Sequence, residues 1–173
     1  MSDPVLCFID TETTGLDPRL HQPWEVSWWR EDEQQPSAYF LQHTLEYAQP
    51  EALTVGRYWE RQNAGATPHP MAQHWLAQKL TGVTLVGANP AFDAAMLTQL
   101  IGAPVWHYRL IDVEVMAMAI FDWARPAGLL SVATKCASLG HEIPTPDHTA
   151  EGDVRTTRAV YDALRIIQKG HLT

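Results

Sequence analysis

Two carboxylates separated by one residue, Asp10 and Glu12, follow directly after the apolar run 5–9. An apolar run that leads into a turn at Gly15 is typical of a buried strand. Residues i and i+2 of a strand share one face, so both carboxylates should project together from its tip. Two anions this close repel each other unless one is protonated or a cation lies between them. Because oxygen ligands suit Mg²⁺ or Mn²⁺, the pair predicts a metal site, the alternative being a solvated turn.

A third carboxylate, Asp93, lies where the predicted strand 83–88 gives way to the predicted helix 91–101. An aspartate in the first turn of a helix is stabilised by the helix dipole, which would be a purely structural role. In the functional interpretation, Asp93 faces the tip of the first strand, beside Asp10 and Glu12.

Two further candidates, His148 and Asp153, stand at the start of the last predicted helix, 150–168. A structural role exists here too, because Thr149 can cap the helix and Asp153 would then lie in its first turn. In the chemical interpretation, Asp153 adds a carboxylate to the metal site. His148 then reaches the bound water as general base.

The elements that must position these side chains are predicted from turn residues and hydrophobic spacing. Three strands come first, and helices interleaved with two more strands follow, which predicts an α/β domain with a mixed sheet. Asp112, after the fifth strand, is predicted to cap a helix rather than to bind metal. The predicted strands are 5–11, 24–30, 37–45, 83–88 and 107–111. The predicted helices are 53–62, 71–80, 91–101, 113–122, 129–139 and 150–168.

Composition limits the class of protein. The 173 residues fit one domain, 1–173, and 46% hydrophobic residues are too many for a disordered chain. No apolar stretch approaches the ~20 residues of a membrane span, and no secretion signal is recognised, so a cytoplasmic protein without a membrane partner is expected. The two cysteines, Cys7 and Cys136, are too sparse for a zinc site, and Cys7 should be a buried thiol.

The net charge of −8, with only 12 Lys and Arg, argues against a protein that grips long nucleic acid through many phosphates. It does not exclude a nuclease, because a cluster of metal-binding carboxylates adds negative charge that bound cations offset.

In type, order and spacing, the five candidate residues resemble the signature of the DEDD superfamily of 3′→5′ exonucleases, in its histidine-containing DEDDh branch. That branch includes the epsilon proofreading subunit of the bacterial replicative polymerase, ribonuclease T and oligoribonuclease. The run 8–16, Phe-Ile-Asp-Thr-Glu-Thr-Thr-Gly-Leu, matches the first family motif. Asn89 with Asp93 matches the second, and His148 with Asp153 matches the third. The resemblance implies a ribonuclease-H-like fold, with a five-stranded mixed sheet flanked by helices.

The resemblance also implies two-metal hydrolysis of single-stranded DNA or RNA from the 3′ end, which releases nucleoside 5′-monophosphates. Two Mg²⁺ ions, or Mn²⁺ in their place, are the implied cofactors. Asp10, Glu12 and Asp153 would bind the first metal directly. Asp10 would also bind the second, Asp93 would help to hold it through water, and His148 would take the proton. The positions that match substrate contacts of the family are Thr13, Thr14, Leu16 and Asn89.

Two other functions stay open at this point. One is a non-catalytic nucleic-acid-binding or polymerase-associated module that kept the fold, although all five signature residues are present. The other is a dedicated proofreading subunit, but the chain ends shortly after the last predicted helix and shows no polymerase-binding tail.

The seven tryptophans bear on partners. Trp28 and Trp29 are neighbours on a strand, so they should point to opposite faces of the sheet. The structural interpretation is that helices cover both. The alternative is that one is exposed and serves a homodimer or a polymerase contact.

Overall fold

A computed structural model of the chain describes residues 4–61 and 66–171. Five strands form its sheet: β1 (Leu6–Thr13), β2 (Pro23–Arg30), β3 (Ser37–Phe40), β4 (Thr84–Gly87) and β5 (Ile111–Asp112). The strand order is β3-β2-β1-β4-β5. The first three strands pair antiparallel, whereas β1, β4 and β5 pair parallel. The predicted five-stranded mixed sheet is confirmed.

The helices are α1 (Pro50–Val55), α2 (Tyr58–Arg61), α3 (His69–Leu80), α4 (Pro90–Ile101), α5 (Val113–Ile120), α6 (Leu129–Ser138) and α7 (Ala150–His171). Helices cover both faces of the sheet, and alternation along β1 shows which side chains meet them. Ile9 packs in a cluster with α3 and α4, whereas Phe8 packs on the other face with α5, α6 and α7. Cys7 lies with Ile9 as a buried free thiol, as predicted, and burial raises its pKa to about 12.

Two predicted strands have different bounds in the structure. The strand predicted at 37–45 ends at Phe40, after which Leu41 makes one isolated bridge to Thr67. The strand predicted at 107–111 is wrong over most of its length, because only Ile111 and Asp112 pair with β4.

The predicted helix 53–62 is two short helices, α1 and α2. Arg57 lies between them with a φ of 54°, a left-handed conformation that interrupts a right-handed helix. Residue 62, the last of the prediction, lies outside the described residues. Asp112 caps α5 as predicted, because its Oδ1 accepts from the amides of Glu114 at 2.8 Å and Val115 at 3.3 Å.

The neighbouring tryptophans lie on opposite faces, as predicted. Trp28 is 1% exposed and its ring centroid lies 5.2 Å from that of Tyr39, which in turn lies 5.9 Å from that of Trp75 of α3. Trp29 is half-buried, with the guanidinium of Arg158 from α7 lying 4.0 Å from its ring centroid. Across residues 4–61 and 66–171, none of the helices combines the length and apolar character of a membrane-spanning segment.

Candidate active site

Asp10 and Glu12 lie on β1, which is held by β2 on one side and β4 on the other. By strand alternation they share the face of Phe8, which α7 covers. The strand extends to Thr13, two residues further than predicted, so Glu12 is itself part of the sheet. The backbone at both carboxylates is therefore fixed by strand pairing.

Asp93 approaches the same strand from α4. It lies in the first helical turn, is 3% exposed, and its Oδ1 accepts a hydrogen bond of 2.7 Å from the Thr11 hydroxyl. Burial raises its pKa to about 7, although the Thr11 bond opposes this shift. Asp93 therefore lies against the first strand, and its part in a metal site stays a prediction.

The start of α7 places Asp153. Thr149 caps the helix as predicted, because its Oγ1 accepts from the Gly152 amide at 2.9 Å. The carboxylate of Asp147 in turn accepts from the Thr149 amide at 3.1 Å and from its hydroxyl at 2.8 Å. Asp153 closes this turn, since its Oδ1 accepts from the Asp147 amide at 3.1 Å.

Electrostatics show that Asp10, Glu12, Asp93 and Asp153, the acidic cluster, lie together. Burial raises the pKa of Asp10 well above its ordinary value, and repulsion from the other three carboxylates raises it further. Burial also raises the pKa of Glu12, to about 8, and repulsion from Glu25 adds to this while the Arg61 guanidinium opposes it. Burial raises the pKa of Asp153 as well. The structure therefore brings the four predicted carboxylates into one group of mutually repelling anions.

The chemistry of this donor set fits a hard divalent cation, which prefers carboxylate oxygens and would relieve the repulsion. Within the two described ranges, no three His, Cys, Asp or Glu side chains are arranged to hold a metal ion. Two members of the acidic cluster have other partners, since Thr11 holds Asp93 and the Asp147 amide holds Asp153. The residue types fit a metal, and binding it would require side-chain rearrangement.

His148 lies near Asp153 of the acidic cluster and is exposed. Its charge, like the hydrogen bond from the Asp147 amide, counteracts the burial that raises the pKa of Asp153. Its backbone is left-handed, with a φ of 57°, and its carbonyl accepts a bond of 3.1 Å from Arg61. The backbone of His148 is thus held in place, while its side chain is exposed.

A cleft of about 300 Å³ opens next to Glu12. Two of the four predicted substrate contacts line it: Thr13, and Leu16, which is 70% exposed at its mouth. Thr14 is buried and accepts from the Gln22 amide instead, and Asn89 is exposed outside the cleft. The lining residues are Thr11, Glu12, Thr13, Leu16, Gln49, Glu51, Ala52, Val55 and Phe92.

Three residues of the site were not predicted from the sequence. Thr11 holds Asp93, and Arg61 forms an ion pair with Glu25 beside Glu12. Glu25 carries a signal that could have found it, because it is a charge between the buried residues Trp24 and Val26 of β2. Arg61 carries none, since it lies among other charged residues on a short helix.

Comparison with known proteins identifies the fold. No family model matches the chain, and a search of curated proteins finds no relative. Among solved structures, E. coli Exonuclease I in complex with a dT13 oligonucleotide matches 98% of this chain at a TM-score of 0.75 and 18% identity. The zinc-bound form of the E. coli enzyme with single-stranded DNA matches 97% of the chain at a TM-score of 0.78 and 18% identity. Exonuclease I from Methylocaldum szegediense matches 96% of the chain at a TM-score of 0.72 and 20% identity.

These matches show that the chain has the ribonuclease-H-like α/β fold of the exonuclease domain of Exonuclease I. The chain covers 42% of each of these two E. coli structures and 41% of the Methylocaldum one, so it spans less than half the length of these proteins.

Proposed function

We propose that this protein is a metal-dependent 3′→5′ exonuclease that hydrolyses single-stranded nucleic acid to nucleoside 5′-monophosphates. The observation that carries the proposal is the convergence of the acidic cluster from β1, α4 and α7, with His148 beside it. The fold shared with Exonuclease I supports it, and so does the presence of every residue of the DEDDh signature in order.

Each part of the site has a role in this proposal. Two Mg²⁺ ions, or Mn²⁺, held by the acidic cluster would supply an activated water and neutralise charge on the scissile phosphate. His148 would act as the general base for the attacking water, a role that its exposed position allows. The cleft takes the terminal nucleotide, with the apolar walls Val55 and Phe92 against the base and Leu16 at the mouth.

The proposed substrate is a single-stranded 3′ end. The zinc-bound Exonuclease I structure contains single-stranded DNA. In this chain the cleft has a volume of only about 300 Å³ and the net charge is −8, so few nucleotides can be held. A duplex end would have to fray before its terminal nucleotide entered the cleft. DNA and RNA both fit this description, and the test includes both.

The test incubates the purified protein with matched 5′-labelled DNA and RNA oligonucleotides in Mg²⁺ or Mn²⁺, and follows their lengths. A ladder that shortens from the 3′ end is expected, with EDTA or a 3′-phosphate stopping it. The control variant is Asp10→Asn, which removes one charge of the acidic cluster without changing side-chain size. Full activity in EDTA or in Asp10→Asn would contradict the proposal. An oligonucleotide that is bound but never shortened would favour the non-catalytic module instead.

A further inference from the structure

Glu25 is a buried carboxylate that holds two distant parts of the chain. It lies on β2 opposite Glu12 and is 3% exposed. Its Oε2 accepts from the amide of Ala150, the first residue of α7, at 3.2 Å, and forms an ion pair with Arg61. A buried carboxylate is tolerated only when donors compensate its lost hydration. Glu25 therefore fixes the first residue of α7 against β2.

Arg61, at the end of α2, joins three segments through one guanidinium. Its Nη2 donates to Glu25, and its Nη1 donates to the carbonyls of Gly56 at 3.0 Å and His148 at 3.1 Å. The same guanidinium lies over the Trp24 ring, 5.2 Å from its centroid. A guanidinium presents its donors in a rigid planar fork, so these contacts fix one another.

His148 is held by its backbone on both sides. Its own carbonyl is bound by Arg61, and the amide two residues later is bound by Glu25. Its left-handed backbone is unfavourable for a residue with a side chain, so the surroundings must maintain it. No hydrogen bond to its imidazole is seen among the residues that the structure describes. The direction of the imidazole thus depends on how the backbone is held.

We propose that Arg61 and Glu25 are positioning residues for His148, which fix the backbone around it so that its imidazole is presented to the acidic cluster. This inference rests on the proposed function. If the Arg61 guanidinium only stabilised the fold, its removal would lower kcat equally with and without His148. A positioning guanidinium must lose its effect on the rate once the imidazole is gone.

The first experiment is a double-mutant cycle on kcat. Arg61→Met alone should lower kcat by about 10–10²-fold with little change in KM, the scale of a misplaced reacting group. In a His148→Ala background the same change should alter kcat less than about twofold, because interacting residues are not additive. Arg61→Lys keeps the charge but loses the planar fork of donors, so its kcat should lie between those of the wild type and Arg61→Met. If Arg61→Met does not fold, the cycle is measured with Arg61→Lys instead.

The matched control is Arg57→Met. Arg57 lies in the same short segment and also pairs with a glutamate, but that pair with Glu60 is exposed and touches neither Glu25 nor His148. It should leave kcat unchanged in both backgrounds. An equal loss of kcat from Arg61→Met with and without His148 would overturn the inference, and so would no loss at all.

A second readout does not depend on activity. Hydrogen exchange of the peptide 147–153, which contains the Ala150 amide, should be faster in Arg61→Met and Glu25→Gln than in the wild type. Exchange in β4 should be unchanged. If the wild type cuts no oligonucleotide, the proposed function fails while this readout still tests the link. Unchanged exchange at 147–153 in both variants would overturn it.

Discussion

His148 lies beside four carboxylates, yet its side chain is exposed and is not proposed as a metal ligand. His148→Ala should lower the rate by roughly 10²–10⁴-fold, the usual contribution of a positioned general base. Binding of Mn²⁺, followed by calorimetry, should remain, because the carboxylates are intact. His74→Ala, an exposed histidine of α3, is the control and should be fully active. Normal turnover in His148→Ala would remove the residue from the mechanism.

Substitution of a carboxylate in the acidic cluster is expected to abolish activity without lowering stability in the absence of metal. Asp10→Asn, Glu12→Gln and Asp153→Asn should each reduce activity to background while leaving the Tm in EDTA unchanged or higher. The reason is that each change replaces a carboxyl group whose negative charge is disfavoured by burial and by the neighbouring carboxylates, which is why the pKa values of Asp10 and Glu12 are raised. Calorimetry with and without EDTA measures this. The control is Asp162→Asn, an exposed aspartate of α7, and a large loss of Tm in the cluster variants would contradict the prediction.

At the scale of elements, the start of α7 shows how one turn holds a functional side chain. An added Cβ at Gly152 would overlap the Asp147 carboxylate and lie 2.8 Å from the Thr149 hydroxyl. Gly→Ala inside a helix normally stabilises by about 1 kcal/mol. At Gly152 this gain should be lost, because the Asp147–Thr149 cap must open, and capping bonds are worth about 1 kcal/mol.

Gly152→Ala should therefore show a lower Tm than the wild type and weaker activity, since the amide of Asp147 also holds Asp153. Gly170→Ala, on the same helix, is the control, because a Cβ there meets nothing within 4 Å. It should be neutral or stabilising. Equal gains in Tm at both positions would show that the cap does not constrain the helix.

Local patterns predicted the elements that carry the acidic cluster, and the reason is physical. Strand alternation places Asp10 and Glu12 on one face, and a turn before a helix places Asp93. Each of these two patterns spans only a few residues. The strand predicted at 107–111 was wrong over most of its length, because the local sequence does not show which residues pair with β4. The pairing of Arg61 with Glu25 was also missed, since it joins positions 36 residues apart. The catalytic roles themselves stay predictions.

For the whole molecule, the raised pKa values of the cluster imply that stability depends on pH. Asp93 and Glu12 have folded pKa values of about 7 and 8, above the ordinary range near ~4. Between the ordinary pKa near ~4 and these folded pKa values, the folded state binds more protons than the unfolded state. The free energy of unfolding must therefore fall as pH rises through this range. Hydrogen bonds with Arg19 lower the pKa of Asp17 to about 2, so the effect of Asp17 on stability is confined to lower pH.

In EDTA, the Tm should therefore decrease from pH 5.5 to pH 8.5, and saturating Mg²⁺ should flatten the slope by compensating the charge. Glu12→Gln should also show a shallower slope in EDTA. A Tm that rises across this range without metal would show that the cluster does not dominate the linkage.

The charge of the whole molecule also limits how it holds its substrate. With 12 Lys and Arg against 20 Asp and Glu, few phosphates can be neutralised. For a site that neutralises about two phosphates, log K should fall against log salt with a slope of only about −1.4. Fluorescence anisotropy with a labelled oligonucleotide and Asp10→Asn measures it. Degradation should be distributive, so that all strands shorten together. A steep salt slope or processive digestion of a long duplex would contradict this model.

The wide separation of the contacts that build the site has a consequence for how the protein is made. Thr11 meets Asp93 across 82 residues, Arg61 meets His148 across 87, and Ala150 meets Glu25 across 125. Such contacts form late in folding, because the entropy of closing a long loop is lost before the contact can stabilise the chain. During synthesis the ribosome releases Asp10 and Glu12 long before α7. A growing chain thus carries three of the four carboxylates of its acidic cluster while lacking Asp153 and His148, and the proposed nuclease activity would begin only once α7 docks.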